Sequence, residues 1–181
     1  MTAACAPHGD LQREGSAVCL NCGLCCRNIW FDHAIIADQE RDRAAQAGLE
    51  IEINAGRPSF RLPCPLYAAG RCSAYMTWRP GVCARYRCKL LRRYMKGDCT
   101  RDEALHQVNR IEGLAAAIRD RLGNQRERLH DLIADVVEAR YDALREPELL
   151  LDVTTLMALY RHHFDHRFGM MDTEAGPAHT A

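Results

Sequence analysis

The stretch Cys19-Leu20-Asn21-Cys22-Gly23-Leu24-Cys25-Cys26 places four thiols within eight residues. Working outward from it, four more follow at Cys64, Cys72, Cys83 and Cys88. A Cys-x2-Cys unit lets two sulfurs reach one centre from a single turn. Zinc takes four such ligands at about 2.3 Å in a tetrahedron. A [4Fe-4S] cluster takes four thiolates, often three in a Cys-x2-Cys-x2-Cys run and a distant fourth followed by proline. Cys19, Cys22 and Cys25 have that spacing, and Cys64-Pro65 offers the fourth. The expectation is a metal site, iron–sulfur or zinc, held by all eight cysteines. Set against it are a purely structural metal staple for a small core and disulfide bonding throughout.

Cys25 and Cys26 add a constraint. Adjacent side chains of an extended segment point to opposite faces. The pair therefore serves two centres, or one thiol is free, and the two cysteine sets are expected to interleave. Gly23 sits where a tight turn needs a residue that tolerates positive φ.

The rest of the composition is that of a globular chain. It has 181 residues, 48% of them hydrophobic and 27% charged, which suits one domain or a small domain with an extension. Lys plus Arg and Asp plus Glu are 24 each, so global charge calls for no polyanionic partner. The ten cysteines would spell a disulfide framework in a secreted chain. The N-terminus has neither a basic nor an apolar leader segment, and no apolar run reaches the roughly 18 residues of a membrane span. A cytoplasmic setting without membrane contact is therefore expected.

Along the chain, residues 1–17 read as a disordered leader. Asn28–His33 has strand-like content. Asp38 caps a helix over Gln39–Ala47, and Gly48 ends it. Leu49–Ile53 alternates as a half-buried strand, Asn54–Pro58 is a turn, and Ser59–Leu62 returns as a hairpin. A helical turn is expected near Ser73–Thr77. Arg79, Arg85, Arg87, Lys89, Arg92, Arg93, Lys96 and Arg101 form a basic stretch in which Asp98 is the one acid. It reads as a solvated helix face, as charge compensation for thiolates, or as an anion-binding surface. The lack of interleaved aromatics argues against nucleic acid.

From Thr100 the pattern is helical. Thr100 and Glu103 make a capping box. Leu105, Val108, Ile111, Ala115, Ile118 and Leu122 form one apolar stripe over about 22 residues. Gly123-Asn124 breaks it. Leu129–Leu144 gives a second helix and Leu149–Phe168 a third. The fold class is α+β: a small loop-rich cysteine/metal-cluster module with short strands at 18–99, a three-helix region at 100–171 and a tail at 172–181. A homodimer through the C-terminal helices, or an unidentified protein partner, would use their apolar faces.

Secondary candidates are few. His162, His163, Asp165 and His166 form a cluster that reads first as the polar side of a helix and second as a histidine metal site. His33 is a candidate nitrogen ligand. Tyr67, Tyr75 and Tyr86 are expected to pack over the thiols, with Trp30 and Trp78 shielding them. Cys5 and Cys99 fall outside the pattern, although Lys96 and Arg101 beside Cys99 would lower its pKa. There is no Ser–His–Asp pattern, P-loop, Rossmann fingerprint or EF-hand, so no catalytic residue is assigned.

These residues resemble a known family. Cys-x2-Cys-Gly-x-Cys-Cys, then Cys64-Pro65-Leu66, Cys72-x2-Tyr75, Arg79-Pro80-x2-Cys83 and Tyr86-x-Cys88, looks like the CxxCxxCC (YkgJ-type) cysteine-cluster family of zinc- or iron-chelating proteins. The resemblance covers residues 19–88 and implies Cys19, Cys22, Cys25, Cys26, Cys64, Cys72, Cys83 and Cys88 as metal ligands. It implies a function in redox or metal handling through an iron–sulfur cluster or zinc. The alternatives are a zinc-stapled interaction module and a cluster-dependent protein-modifying enzyme related to flagellin lysine N-methylase. The chain lacks the Cys-x3-Cys-x2-Cys run of radical enzymes, so methylase activity is not carried over.

Overall fold

In a computed structural model of the chain, residues 18–141, 146–164 and 169–171 are described. The expected leader and tail, together with Cys5, Asp165, His166 and Phe168, lie outside these residues. The strands are β1 (Phe31–Ile35), β2 (Ile51–Asn54), β3 (Arg57–Arg61), β4 (Tyr67–Ala68), β5 (Arg71–Cys72) and β6 (Gly169–Met171). The helices are α1 (Arg41–Gln46), α2 (Gly81–Arg85), α3 (Lys89–Lys96), α4 (Arg101–Leu122), α5 (Leu129–Val137) and α6 (Pro147–His163).

One sheet has the order β2-β3-β1-β6, and β4 and β5 form a separate hairpin. The β2–β3 register pairs Asn54 with Arg57 and Ile51 with Phe60. That leaves Ala55 and Gly56 as the turn, at φ 49 and 77. Two central residues with positive φ match the right-handed twist of a hairpin. The smaller hairpin repeats the device with Ala69 and Gly70, at φ 49 and 78. β6 runs parallel to β1, pairing Ala34 with Met171. It was not expected, since Gly169-Met170-Met171 carries no strand signature. The third helix is shorter than its apolar pattern: Phe164 is extended, at φ −119 and ψ −168, and ends α6.

The capping box is present, with the Glu103 N–H donating to Thr100 Oγ1 (3.2 Å) and the Thr100 N–H to Glu103 Oε2 (2.7 Å). Ala104, Val108, Ile111, Ala115 and Ile118 of α4 are all buried. α6 begins with Pro147, whose fixed φ suits the first turn, and buries Leu149, Val153, Leu156, Met157 and Tyr160. α5 stops short of the expected Leu144. Its C-terminal Glu138 is followed by Ala139 at φ 54, a conformation that does not continue a right-handed helix. Residues 73–77 form turns (Tyr75 N–H to Cys72 C=O, 3.3 Å) and no helix. A single buried core joins Leu24, Trp30, Phe31 and Phe60 to the α4 and α6 faces. At its centre Trp30 stacks on Tyr160, 4.8 Å between centroids and 4° between planes.

The fold is thus mixed α+β, but the expected cysteine/metal-cluster module is not found among the described residues. Its place is taken by the sheet, a hairpin and short helices that share a core with the C-terminal half.

Candidate functional site: a thiol-lined pocket

Residues 18–22 form one helical turn, and Gly23 follows at φ 61 in the left-handed region. The Cys26 N–H then closes back on the Gly23 carbonyl at 2.9 Å. The glycine is required twice over. A Cβ there would lie 2.0 Å from the Tyr67 hydroxyl, so the tyrosine lies directly on this turn. Arg27 holds it there, donating from Nη2 to Tyr67 Oη at 2.9 Å and pairing with Glu112 Oε1 of α4 at 3.0 Å. This clasp of Gly23, Tyr67, Arg27 and Glu112 joins the first cysteine set, the small hairpin and the long helix. Sequence reasoning missed Arg27 and Glu112, because nothing local marks residues that meet only in the fold.

Each remaining thiol has its own support. The Cys64 N–H donates to the Cys26 carbonyl at 2.9 Å, making the two residues backbone neighbours. Cys72 sits opposite Tyr67 in the hairpin. Cys83 rides on α2, whose first N–H (Gly81) donates to Glu40 Oε1 at 2.7 Å. Cys88 caps α3, its sulfur accepting the Leu91 N–H at 3.3 Å.

Cys19, Cys25, Cys26, Cys64, Cys72 and Cys83 line one pocket, with Tyr67, Tyr75, Tyr86 and Met171 of β6 in its wall. Its cavity is ≈ 80 Å³. A few waters fit, at about 30 Å³ each in the liquid, whereas a small-molecule site takes roughly 300–1,000 Å³. Arg79 is the one charged side chain among the lining residues. Its guanidinium lies over the Tyr75 ring, 3.7 Å from the centroid.

The thiols are mutually repelling once ionised. Burial first, then the neighbouring Cys64, Cys19 and Cys72, pushes Cys26 up to about 12. Burial likewise raises Cys83, next to Cys26, Cys64 and Cys72. Cys25 and Cys22 are raised well above the ordinary thiol value by burial, and both feel Cys88. Cys19 acts on Cys22, Cys25 and Cys26, and Cys26 acts on its neighbour Cys25, so the thiols form one electrostatically linked set.

Among the described residues, no group of three or more His, Cys, Asp or Glu side chains is placed to hold a metal ion. This corrects the expectation of an iron–sulfur cluster or zinc on Cys19, Cys22, Cys25, Cys26, Cys64, Cys72, Cys83 and Cys88. The metal-based functions fall with it: metal handling, the zinc-stapled module and the cluster-dependent enzyme. The physical reason is that spacing along the chain fixes which thiols can approach one another, not whether three of them aim at a single point, as a bound ion requires. None of the nine described cysteines is in a disulfide.

The secondary candidates separate from the pocket. His33 is clasped by Asp32 (Nδ1 to Oδ2, 3.0 Å) and Glu52 (Nε2 to Oε1, 2.7 Å). His163 is buried beside the exposed His162, their rings 4.5 Å apart. Burial, helped by His162, lowers His163 to about 4. Cys99 is raised by burial, which outweighs Arg93, against the expected lowering. Trp30 is buried on Tyr160, while Trp78 lies under Arg43 at 5.0 Å.

Fold and site together define an α+β protein with a pocket walled by thiols. No family model matches the chain, and no curated protein or solved structure does either. The resemblance to the CxxCxxCC family is accordingly corrected: the donor arrangement that would carry its metal chemistry is not found among the described residues.

Proposed function

We propose that the chain is a thiol–disulfide redox protein whose working groups are the pocket cysteines Cys19, Cys25, Cys26, Cys64, Cys72 and Cys83, backed by Cys22 and Cys88. The observation that carries this reading is their convergence on one small cavity as free thiols. Two neighbouring thiols and a small disulfide exchange to give one protein disulfide and two small thiols. The two electrons and two protons leave the protein with the latter. Cys26 and Cys64 suit such a pair, since one backbone hydrogen bond joins them and a disulfide bridges Cα atoms about 4.4–6.8 Å apart.

A chain with this many free thiols suits a reducing, cytoplasmic setting. Among the described residues no helix is long and apolar enough to cross a membrane. A protein partner, or a second copy, would meet the C-terminal helices where Val137 and Leu151 are exposed. Neither a membrane nor a nucleic acid enters the reading.

Thiol counting before and after treatment with a small disulfide tests it. The expected result is loss of thiols in pairs, confined to the pocket set and restored by reductant. An unchanged count, under conditions that oxidise the unfolded chain, overturns it.

A further inference from the structure

The one charged side chain in the pocket lining is the cation Arg79, and this bears on which oxidant reacts there. Cys19 is the exposed member of the thiol set. Desolvation of its sulfur raises its pKa, while Arg79 and Arg87 oppose that rise and Cys72 adds to it. Arg79 is held over Tyr75. Arg87 is held by its own backbone, donating from Nη1 to the carbonyls of Ala84 (2.7 Å) and Tyr86 (2.9 Å). Neither guanidinium is drawn to a carboxylate in these contacts, and among the described residues no acidic side chain lines the pocket. Arg79 in the pocket wall attracts negative charge on an incoming molecule, and with Arg87 it offsets part of the cost that desolvation places on the Cys19 thiolate.

Resting on the thiol–disulfide reading, we infer that a small disulfide bearing carboxylates reacts at the mouth of the pocket and not inside its ≈ 80 Å³ cavity, with the exposed Cys19 as the thiol that attacks first and Cys72 of the same lining as the resolving one. The Cys19 thiolate attacks one sulfur of the disulfide. The S–S bond breaks, a mixed disulfide forms on Cys19, and the first small thiolate leaves and takes up a proton. The Cys72 thiolate then attacks the Cys19 sulfur and forms Cys19–Cys72. The second small thiolate leaves, so one disulfide is consumed and two small thiols appear. Arg79 and Arg87 are positioning residues in this scheme.

The test compares oxidation of the full chain by glutathione disulfide, which is anionic, with neutral hydroxyethyl disulfide and cationic cystamine. The expected result is a rate about tenfold higher for the anionic probe than for the cationic one at low salt, a gap that narrows as salt is added. Arg79→Gln combined with Arg87→Gln should erase that preference, bringing the anionic and cationic rates together while all three rates fall with the Cys19 thiolate that the arginines favour, whereas Arg79→Lys keeps the preference. In Cys72→Ser the glutathione adduct should accumulate on Cys19, read by peptide mass. Equal rates for the three probes, or an adduct elsewhere than Cys19, overturn the inference while the redox reading stands. Failure of every probe to oxidise the pocket overturns both. If Cys72→Ser does not fold, the wild-type rate ratios alone decide.

Discussion

At the residue scale the decisive position is Gly23. It combines a left-handed backbone with a tyrosine hydroxyl occupying the space of a Cβ. Gly23→Ala should cost about 1–2 kcal/mol from the backbone alone, and more because Tyr67 must leave its bond with Arg27. Chemical unfolding measures this. Tyr67→Ala in the same chain should recover only the steric part, leaving the backbone cost visible. Equal stability of wild type and Gly23→Ala would mean that the clasp is not formed.

The thiols make a second prediction at this scale. A folded Cys26 at about 12, against an ordinary 9.0, means that the unfolded chain loses the proton first. The folded state holds more protons than the unfolded one between those values, so stability falls as pH rises through them. Below about pH 9 both states are protonated at this group and its contribution is pH-independent. Cys22, Cys25 and Cys83 act in the same direction. Urea midpoints should therefore drop between pH 8.5 and about 11, and Cys26→Ser should flatten part of the slope. A midpoint that holds steady across this range would contradict the burial of these sulfurs.

At the scale of elements, both hairpins turn on Ala-Gly. Alanine at φ 49 is strained in Ala55 and in Ala69, and asparagine is the residue that tolerates this conformation best in a two-residue hairpin. Ala55→Asn and Ala69→Asn should each stabilise the chain by roughly 0.5–1 kcal/mol, seen as a raised thermal midpoint. The opposite sign would rule out the left-handed turn. For α4, Thr100→Ala removes the side-chain acceptor of the Glu103 N–H and should cost about 1 kcal/mol. That loss belongs to the helix start, so hydrogen exchange should quicken in its first turn and not at Ile118.

How much of this could be read from the chain follows from the range of the forces involved. The capping box, the apolar stripe of α4, the β2–β3 hairpin and the glycine turn at Gly23 are local, and each has a spacing or a residue type that marks it. The helix over residues 39–47 is likewise local. It appears as a 3₁₀ turn at Asp38–Glu40 continued by α1. β6, the Arg27–Glu112 pair and the Trp30–Tyr160 stack join residues far apart in sequence, so no window contains them. Six of the eight spaced cysteines line one pocket, but the metal chemistry expected of them is not found among the described residues, because spacing reports which thiols can approach one another and not whether they aim at one point.

At the scale of the whole molecule, one core holds the thiol pocket in place. Tyr160 lies at its centre, stacked on Trp30 and 4.8 Å from Phe164. Tyr160→Ala should cost about 3–5 kcal/mol and loosen the pocket as well, since Cys22 and Cys25 act electrostatically on the same hydroxyl. Faster alkylation of Cys25 in that variant is the corresponding readout. Protection equal to wild type would show that pocket and helices are independent. Cys99 packs at the margin of the core and is not among the residues that line the pocket.

The most direct measurement is a disulfide map of the folded chain after mild oxidation, read by peptide mass spectrometry. The expected crosslinks join Cys26 to Cys64 and Cys19 to Cys72, with Cys99 left as a thiol. Crosslinks distributed without regard to the pocket, or a chain whose pocket thiols all remain unpaired while Cys99 oxidises, would contradict the account.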